Sequence, residues 1–204
     1  MNTIPMIVSL NSYTDPSVAV RAGLMCTMSE DNVTKYLQDG GLSFLSKLKF
    51  SGHLSVFEHI SCSWEVKNIS RALLQELARH RHTTQSEQAL SVQSSRWALQ
   101  KVKALPAIPF YCPPVEKDEQ TGELVVLCNK VDELLKLIKA STLPNDVLKY
   151  FLPEGVKTSL TISMNLREFI AMYSLRSQPN VLDEFRLLVF EMRRVLPLVL
   201  QELV

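Results

Sequence analysis

Apolar and polar positions along the chain change period repeatedly, and each change marks an element. Residues 5–13 predict a short first strand. Residues 16–24 and 31–49 carry helical spacing, with Gly40-Gly41 placed to break the second stretch in two. ISCSWEV at 60–66 alternates as a half-buried strand does. Asn68 then offers a helix cap, and Ser70–Arg79 follows as a helix with Leu73, Leu74 and Leu77 on one side. Pro106, Pro109, Pro113 and Pro114 make residues 104–122 a loop or crossing excursion. Leu124, Leu127, Val131, Leu134, Leu135 and Ile138 predict an amphipathic helix over 124–140. Another helix begins near Asn145 and ends before Pro153; Lys157–Met164 reads as a strand and Leu166–Leu175 as a helix. Val181, Leu182, Phe185, Leu188, Val189, Met192, Leu196, Val199 and Leu200 form a broad stripe, which predicts one long final helix.

With 46% hydrophobic residues, 204 residues suffice for one core, or at most two small domains, without covalent staples. A net charge of +1 excludes a protein that coats nucleic acid or an anionic membrane, so any basic site is local. Cys26, Cys62, Cys112 and Cys128 are scattered without a CxxC pair, which predicts reduced thiols used mostly as core filler. The stretch MNTIPMIVSLNSYTDPS lacks the basic and apolar regions of a signal peptide, and no run approaches the length of a membrane span. These features predict a soluble, cytoplasmic protein.

Candidate chemistry concentrates in residues 53–97. All four histidines (His53, His59, His80, His82) lie there, as do Arg71, Arg79, Arg81 and Arg96. Guanidinium groups clustered at a helix end suit phosphate, which they grip as planar forks. A run such as Arg79-His80-Arg81 also answers the negative end of a helix dipole, and that plainer role stands beside the first. HTTQSEQALSVQSSRW offers hydroxyls and amides to a polar ligand such as a pyrimidine nucleotide, or is an ordinary solvated loop. The histidines lack zinc-site spacing, so no metal is expected. Phosphate-loop, dinucleotide and nucleophile-elbow motifs are missing too.

The segment resembles the flavin-dependent thymidylate synthase family, whose hallmark is Arg-His-Arg, seven residues, then Ser, commonly followed by x-Arg-Tyr. Arg79-His80-Arg81 and Ser94-Ser95-Arg96-Trp97 carry the likeness. GHLSVFEHISCSWEV is similar to the family's histidine–hydroxyl–Phe-Glu-His segment, and LPEGVKTSLTISMNLREFIAMYSLR to its leucine-proline, Asn-x-Arg and leucine-arginine block. The resemblance implies an FAD enzyme that methylates dUMP to dTMP with NADPH and methylenetetrahydrofolate as co-substrates. It also implies a homotetramer with shared active sites, with no nucleic acid polymer and no membrane as partner. Position by position it implies His53, Ser55, Arg79, His80, Arg81, Asn165 and Arg167 at the flavin. For dUMP it implies Gln75, Glu76, Arg79, Ser94, Ser95, Arg96, Lys149 and Arg176, with Ser94 and Arg176 as the catalytic positions. Several have plain alternatives: Ser55 a turn hydroxyl, Asn165 a helix cap, Arg176 a helix-end cation.

Spacing departs from the family. Twelve residues, 82–93, separate Arg81 from Ser94, five more than the family's seven. Ala171 and Asn180 stand where the family commonly has Asn and His, and Trp97 where it has Tyr. The reading that results is an α+β fold, a mostly antiparallel sheet flanked by helices, as a single domain over 1–204. Its rivals are a degenerate relative that binds flavin or nucleotide without synthase activity, and a nucleic-acid-binding module.

Overall fold

In the computed structural model the described residues are 4–80, 89–114 and 118–204. Four strands, β1 (Ile7–Tyr13), β2 (Ser61–Ser70), β3 (Ala89–Val92) and β4 (Lys157–Asn165), form one antiparallel sheet in the order β1-β2-β4-β3. The period-2 reading holds where it was made. Ile60, just before β2, and Cys62, Trp64 and Val66 within it are buried, as are Thr158, Leu160, Ile162 and Met164 from β4. Ser63 and Ser163 meet on the opposite face, hydroxyl to hydroxyl at 2.9 Å. β2 outlasts its prediction by four residues, to Ser70, and carries Asn68 at φ 63°. Asn68 is therefore no helix cap; its amide donates to the carbonyl of Pro5 at 2.9 Å. Ser70 caps instead, its buried hydroxyl accepting from the amide of Leu73 at 2.9 Å.

Contacts divide the chain into two compact units that share the strands. One holds residues 1–7, 67–77 and 92–160; the other holds 8–66, 78–91 and 161–204. In the first unit, α4 (Arg71–Ala78), α5 (Ser95–Val102), α6 (Asp118–Ala140) and α7 (Asn145–Leu148) follow this order. Leu99, Ile108, Leu135, Ile138, Leu148 and Val156 build its core cluster. α6 starts earlier than its apolar pattern suggests and is turned about its axis: Cys128, Leu135 and Ile138 are buried, while Leu127 is 57% exposed. Cys112 and Cys128 are joined as a disulfide, which corrects the expectation of four reduced thiols. Their sixteen-residue separation carries no motif, and only the folded loop brings them together. Cys62 is filler as expected; burial pushes its thiol up to about 12.

In the second unit α1 (Ser17–Met25), the short α2 (Val33–Tyr36) and α3 (Leu42–Phe50) precede β2. The expected break between the latter two falls at Gly41, whose φ is 89° and whose missing Cβ would lie 2.5 Å from Val20 Cγ2. Asp39 accepts from the amides of Gly41 and Ser43 at 3.1 and 2.9 Å, which tightens that turn. α8 (Leu166–Arg176) packs on α9 (Asp183–Arg194), with Trp64, Phe169, Phe185, Leu188 and Met192 fully or almost fully buried among them. Trp64 donates its indole N–H to the carbonyl of Met192 at 3.2 Å and sets its ring 5.0 Å from Phe169. The single long final helix is corrected to two, because Pro197 cannot donate to the ladder. α9 ends at Arg194 and α10 (Leu198–Leu203) restarts beyond the proline, while the apolar stripe continues through Leu196, Leu200 and Leu203. Among the described residues no helix is long and apolar enough to cross a membrane.

Candidate active site

The proposed site residues fall on both units. In the first, strand β2 ends at Ser70 and hands directly to Arg71, the first residue of α4. A cation opening a helix opposes the dipole, so this one needs a compensating partner. Arg71 Nη1 donates to Ser95 Oγ at 2.5 Å. Its Nε is buried without a hydrogen-bond partner, beside a cavity of about 30 Å³ that Gln93, Ser95 and Thr158 help to line. That volume suits a single water. Arg71 belongs to the arginine cluster read from the sequence but not to the proposed site set; its signal was the unfavourable helix-start position.

Ser94 holds the N-cap position of α5, with Ser95 and Arg96 as the first two helical residues. The preceding chain is tied down on β4 by the amide of Gln93, which donates to the carbonyl of Ser159 at 2.9 Å. Segment 89–92, read as part of a polar loop, is thus strand β3, a short apolar run between polar residues that pairs with β4. Arg96 pairs with Asp146 at 3.6 Å, and its carbonyl accepts from Asn145 at 3.3 Å. α5 packs on α7 and on the 3-10 turn Lys149–Phe151, so Lys149 belongs to the same end of this unit. Gln75 is exposed and Glu76 half-buried on α4.

In the second unit, the 3-10 turn Leu54–His59 packs against α1 and α8. Val56 and Phe57 anchor it inward, which leaves His53, Ser55 and Glu58 on its exposed side. Glu58 accepts from Arg167 at 2.5 Å, an ion pair that fixes the start of α8 to the turn. Asn165 caps α8, its Oδ1 accepting from the amide of Glu168 at 2.9 Å. At the other end of α8, Arg176 Nε donates to His80 Nε2. Phe185 lies under both: 4.7 Å from the Arg176 guanidinium carbon to the ring centre, and 5.2 Å between the two ring centres with His80 edge-on. His80 is buried and Arg79 exposed, just past the end of α4. Arg81 lies outside the described residues, as does most of the long stretch up to Ser94. Among the described residues no group of three His, Cys, Asp or Glu side chains could hold a metal ion.

Residues 9–200 match the family described as thymidylate synthase complementing protein. The flavin-dependent thymidylate synthase of Helicobacter pylori strain J99 is 32% identical over 195 residues, which cover 89% of this chain and 88% of that one. The Campylobacter jejuni RM1221 enzyme of the same name is 34% identical over 154 residues, 71% of this chain and 70% of that one. Thymidylate synthase X of Helicobacter pylori, crystallised with FAD and dUMP, superposes with a TM-score of 0.76 at 30% identity, covering 98% and 97% of the two chains. A UMP/dUMP methylase of Streptomyces cacaoi, at 18% identity and a TM-score of 0.73, shares the fold. This chain belongs to the flavin-dependent thymidylate synthase family.

Proposed function

We propose that the protein reductively methylates dUMP to dTMP, binding FAD and using NADPH and methylenetetrahydrofolate as co-substrates in a homotetramer with shared sites. The observation that carries this reading is Arg176, braced between His80 and Phe185 at the end of α8 in a chain with full-length likeness to synthases. A guanidinium held this way suits a planar ligand with adjacent oxygen and nitrogen acceptors, such as the uracil edge.

The donor set fits a flavin nucleotide. His53 and Ser55 are exposed on a turn that packs on α8, where Asn165 and Arg167 begin the helix, and Arg79 and His80 follow α4. Imidazoles, a hydroxyl, an amide and guanidinium groups are what a pyrophosphate and a ring with many carbonyls require. When bound, FAD supplies the hydride chemistry that no protein side chain offers. Arg79 and Arg81 complete the flavin set on this reading, while Gln75, Glu76, Arg79, Ser94, Ser95, Arg96 and Lys149 orient dUMP. Ser94 contributes its hydroxyl at the nucleotide, and Arg176 stabilises negative charge as it develops on the pyrimidine. Everything the chain does here is positioning and electrostatics, so geometry sets the rate.

The test is tritium release from 5-tritiated dUMP under anaerobic conditions with FAD, NADPH and methylenetetrahydrofolate, comparing wild type with Arg176→Ala. Release by the wild type and a loss of at least ~10²-fold in the variant are expected. A wild type that retains flavin yet releases no tritium would replace the synthase with a flavin- or nucleotide-binding relative. The five extra residues between Arg81 and Ser94 are what favour that second reading.

A further inference from the structure

We propose that the Cys112–Cys128 bridge is a reversible thiol–disulfide site, opened by a low-molecular-weight thiol that enters the adjoining cavity and attacks Cys112 Sγ.

A chain of 204 residues with its own hydrophobic core needs no covalent staple, and one bridge among four scattered cysteines is not the framework of a stapled domain. The bridge is set apart by its place. Both cysteines line a cavity of about 390 Å³, walled by Ile108, Pro109 and Phe110 on one side and by Asn129 and Asp132 of α6 on the other. That volume lies in the range that admits a small organic ligand. Cys112 is half-buried and Cys128 buried, so access directs the nucleophile to Cys112 Sγ. The incoming thiolate bonds to that sulfur as the bridge breaks, and Cys128 leaves with the electron pair and takes up a proton. A second thiol displaces the first from Cys112. In sum two small thiols become one small disulfide, and the bridge gains two electrons and two protons.

α6 is held unevenly, which gives the opening a consequence. Its later half places Leu135 and Ile138 in the core, and Lys139 Nζ donates to the carbonyls of Leu105 and Pro106. Across residues 120–127 every side chain is exposed except half-buried Leu124, and Cys128 is the next buried residue. So short a helical stretch has little stability of its own in water. Opening the bridge therefore loosens residues 120–127 and leaves 131–140 in place.

The test uses the oxidised, native full-length chain with Cys26→Ser, so that no exposed thiol of its own competes. Opening by 2-mercaptoethanol is quenched in denaturant with N-ethylmaleimide and read by peptide mass; native labelling of buried Cys62 clocks unfolding. Each rate is divided by its value in the unfolded chain. The bridge is expected to be slowed less than ~10-fold and Cys62 more than ~10³-fold; equal slowing would mean entry through unfolding and would overturn the site. With hydroxyethyl disulfide, Cys112 in Cys128→Ser forms the mixed disulfide at least ~10-fold faster than Cys128 in Cys112→Ser; the reverse order overturns the assignment of the attacked sulfur. Ala107→Phe, at the cavity wall, slows opening by 2-mercaptoethanol by at least ~10-fold, and an unchanged rate overturns the cavity as the route. If that variant does not fold, the comparison with Cys62 decides without it. Amide exchange in the reduced chain is faster across 120–127 and unchanged across 131–140; an unchanged or uniform response along α6 overturns the loosening.

Discussion

Ser95→Ala is the most informative single perturbation outside the Arg176 cluster. The serine hydroxyl accepts from Arg71 Nη1 at 2.5 Å, and Arg71 Nε already lacks a partner. Removing the hydroxyl leaves a half-buried guanidinium with a second unsatisfied donor. A hydrogen bond to a charged group contributes about 1.5–3 kcal/mol, and a water in the adjoining cavity would offset only part of its loss. For a chain of this length each kcal/mol lowers the melting temperature by about 2–4 °C, so a loss of about 2 kcal/mol predicts a drop of about 4–8 °C. Differential scanning fluorimetry at one fixed protein concentration measures this, since assembly makes the midpoint concentration-dependent. Arg71→Met removes the charge and keeps the aliphatic stem. Adding Ser95→Ala to it therefore costs little, and the two losses combine to less than their sum. If Ser94 and Arg96 hold dUMP as proposed, the same variant weakens dUMP binding, because both flank the lost contact. A Ser95→Ala protein melting within about 1 °C of wild type would refute the reasoning and leave Arg71 a solvated helix-end cation.

Two further outcomes concern stability and thiol chemistry. Without reductant, Ellman's reagent should titrate Cys26 alone in the native protein, because Cys62 is buried with its thiol pushed up to about 12; Cys62 joins on unfolding, and Cys112 and Cys128 only after reduction. Hydrogen bonds from Ser43 hold Asp39 below the usual carboxylate range, so its cap stabilises the fold above its unfolded pKa and fades as acid protonates it. The gap in melting temperature between wild type and Asp39→Ala should accordingly narrow from about pH 6 to about pH 3, and a gap constant across that range would refute the cap.

Much of the fold was legible because periods of two and of about 3.6 differ sharply in this chain. Ile60–Val66 and Lys157–Met164 alternate cleanly, and burial follows the alternation residue by residue. What was not legible depended on partners distant in sequence. Nothing in ALSV announces a strand; β4 supplies the pairing. The apolar residues of α6 surround too much of the helix to show which side faces Leu99 and Ile108. Pro197 was visible, but the apolar stripe on both sides of it masked the break. At the site, the residue types were legible as motifs, while the braces were not: Glu58 on Arg167, Arg71 on Ser95, and His80 with Phe185 on Arg176. The three hydrogen-bonded pairs join segments at least 24 residues apart, so no local pattern encodes them.

Asn68 has a consequence for how this protein tolerates insertions and deletions. Up to Val66 the even-numbered residues of β2 are buried; beyond Asn68, at φ 63°, Ile69 and Ser70 are buried in succession and the alternation breaks. The strand thus skips one beat, much as a bulge does, and α4 inherits the new phase. Changing the side chain at 68 would lose one hydrogen bond to Pro5 and strain a left-handed φ that Asn tolerates, whereas deleting the residue would shift the phase of everything after it. Arg71 would then be carried off its place beside Ser95, with its side chain intact and its partner lost. Length at this one position sets the phase of all that follows.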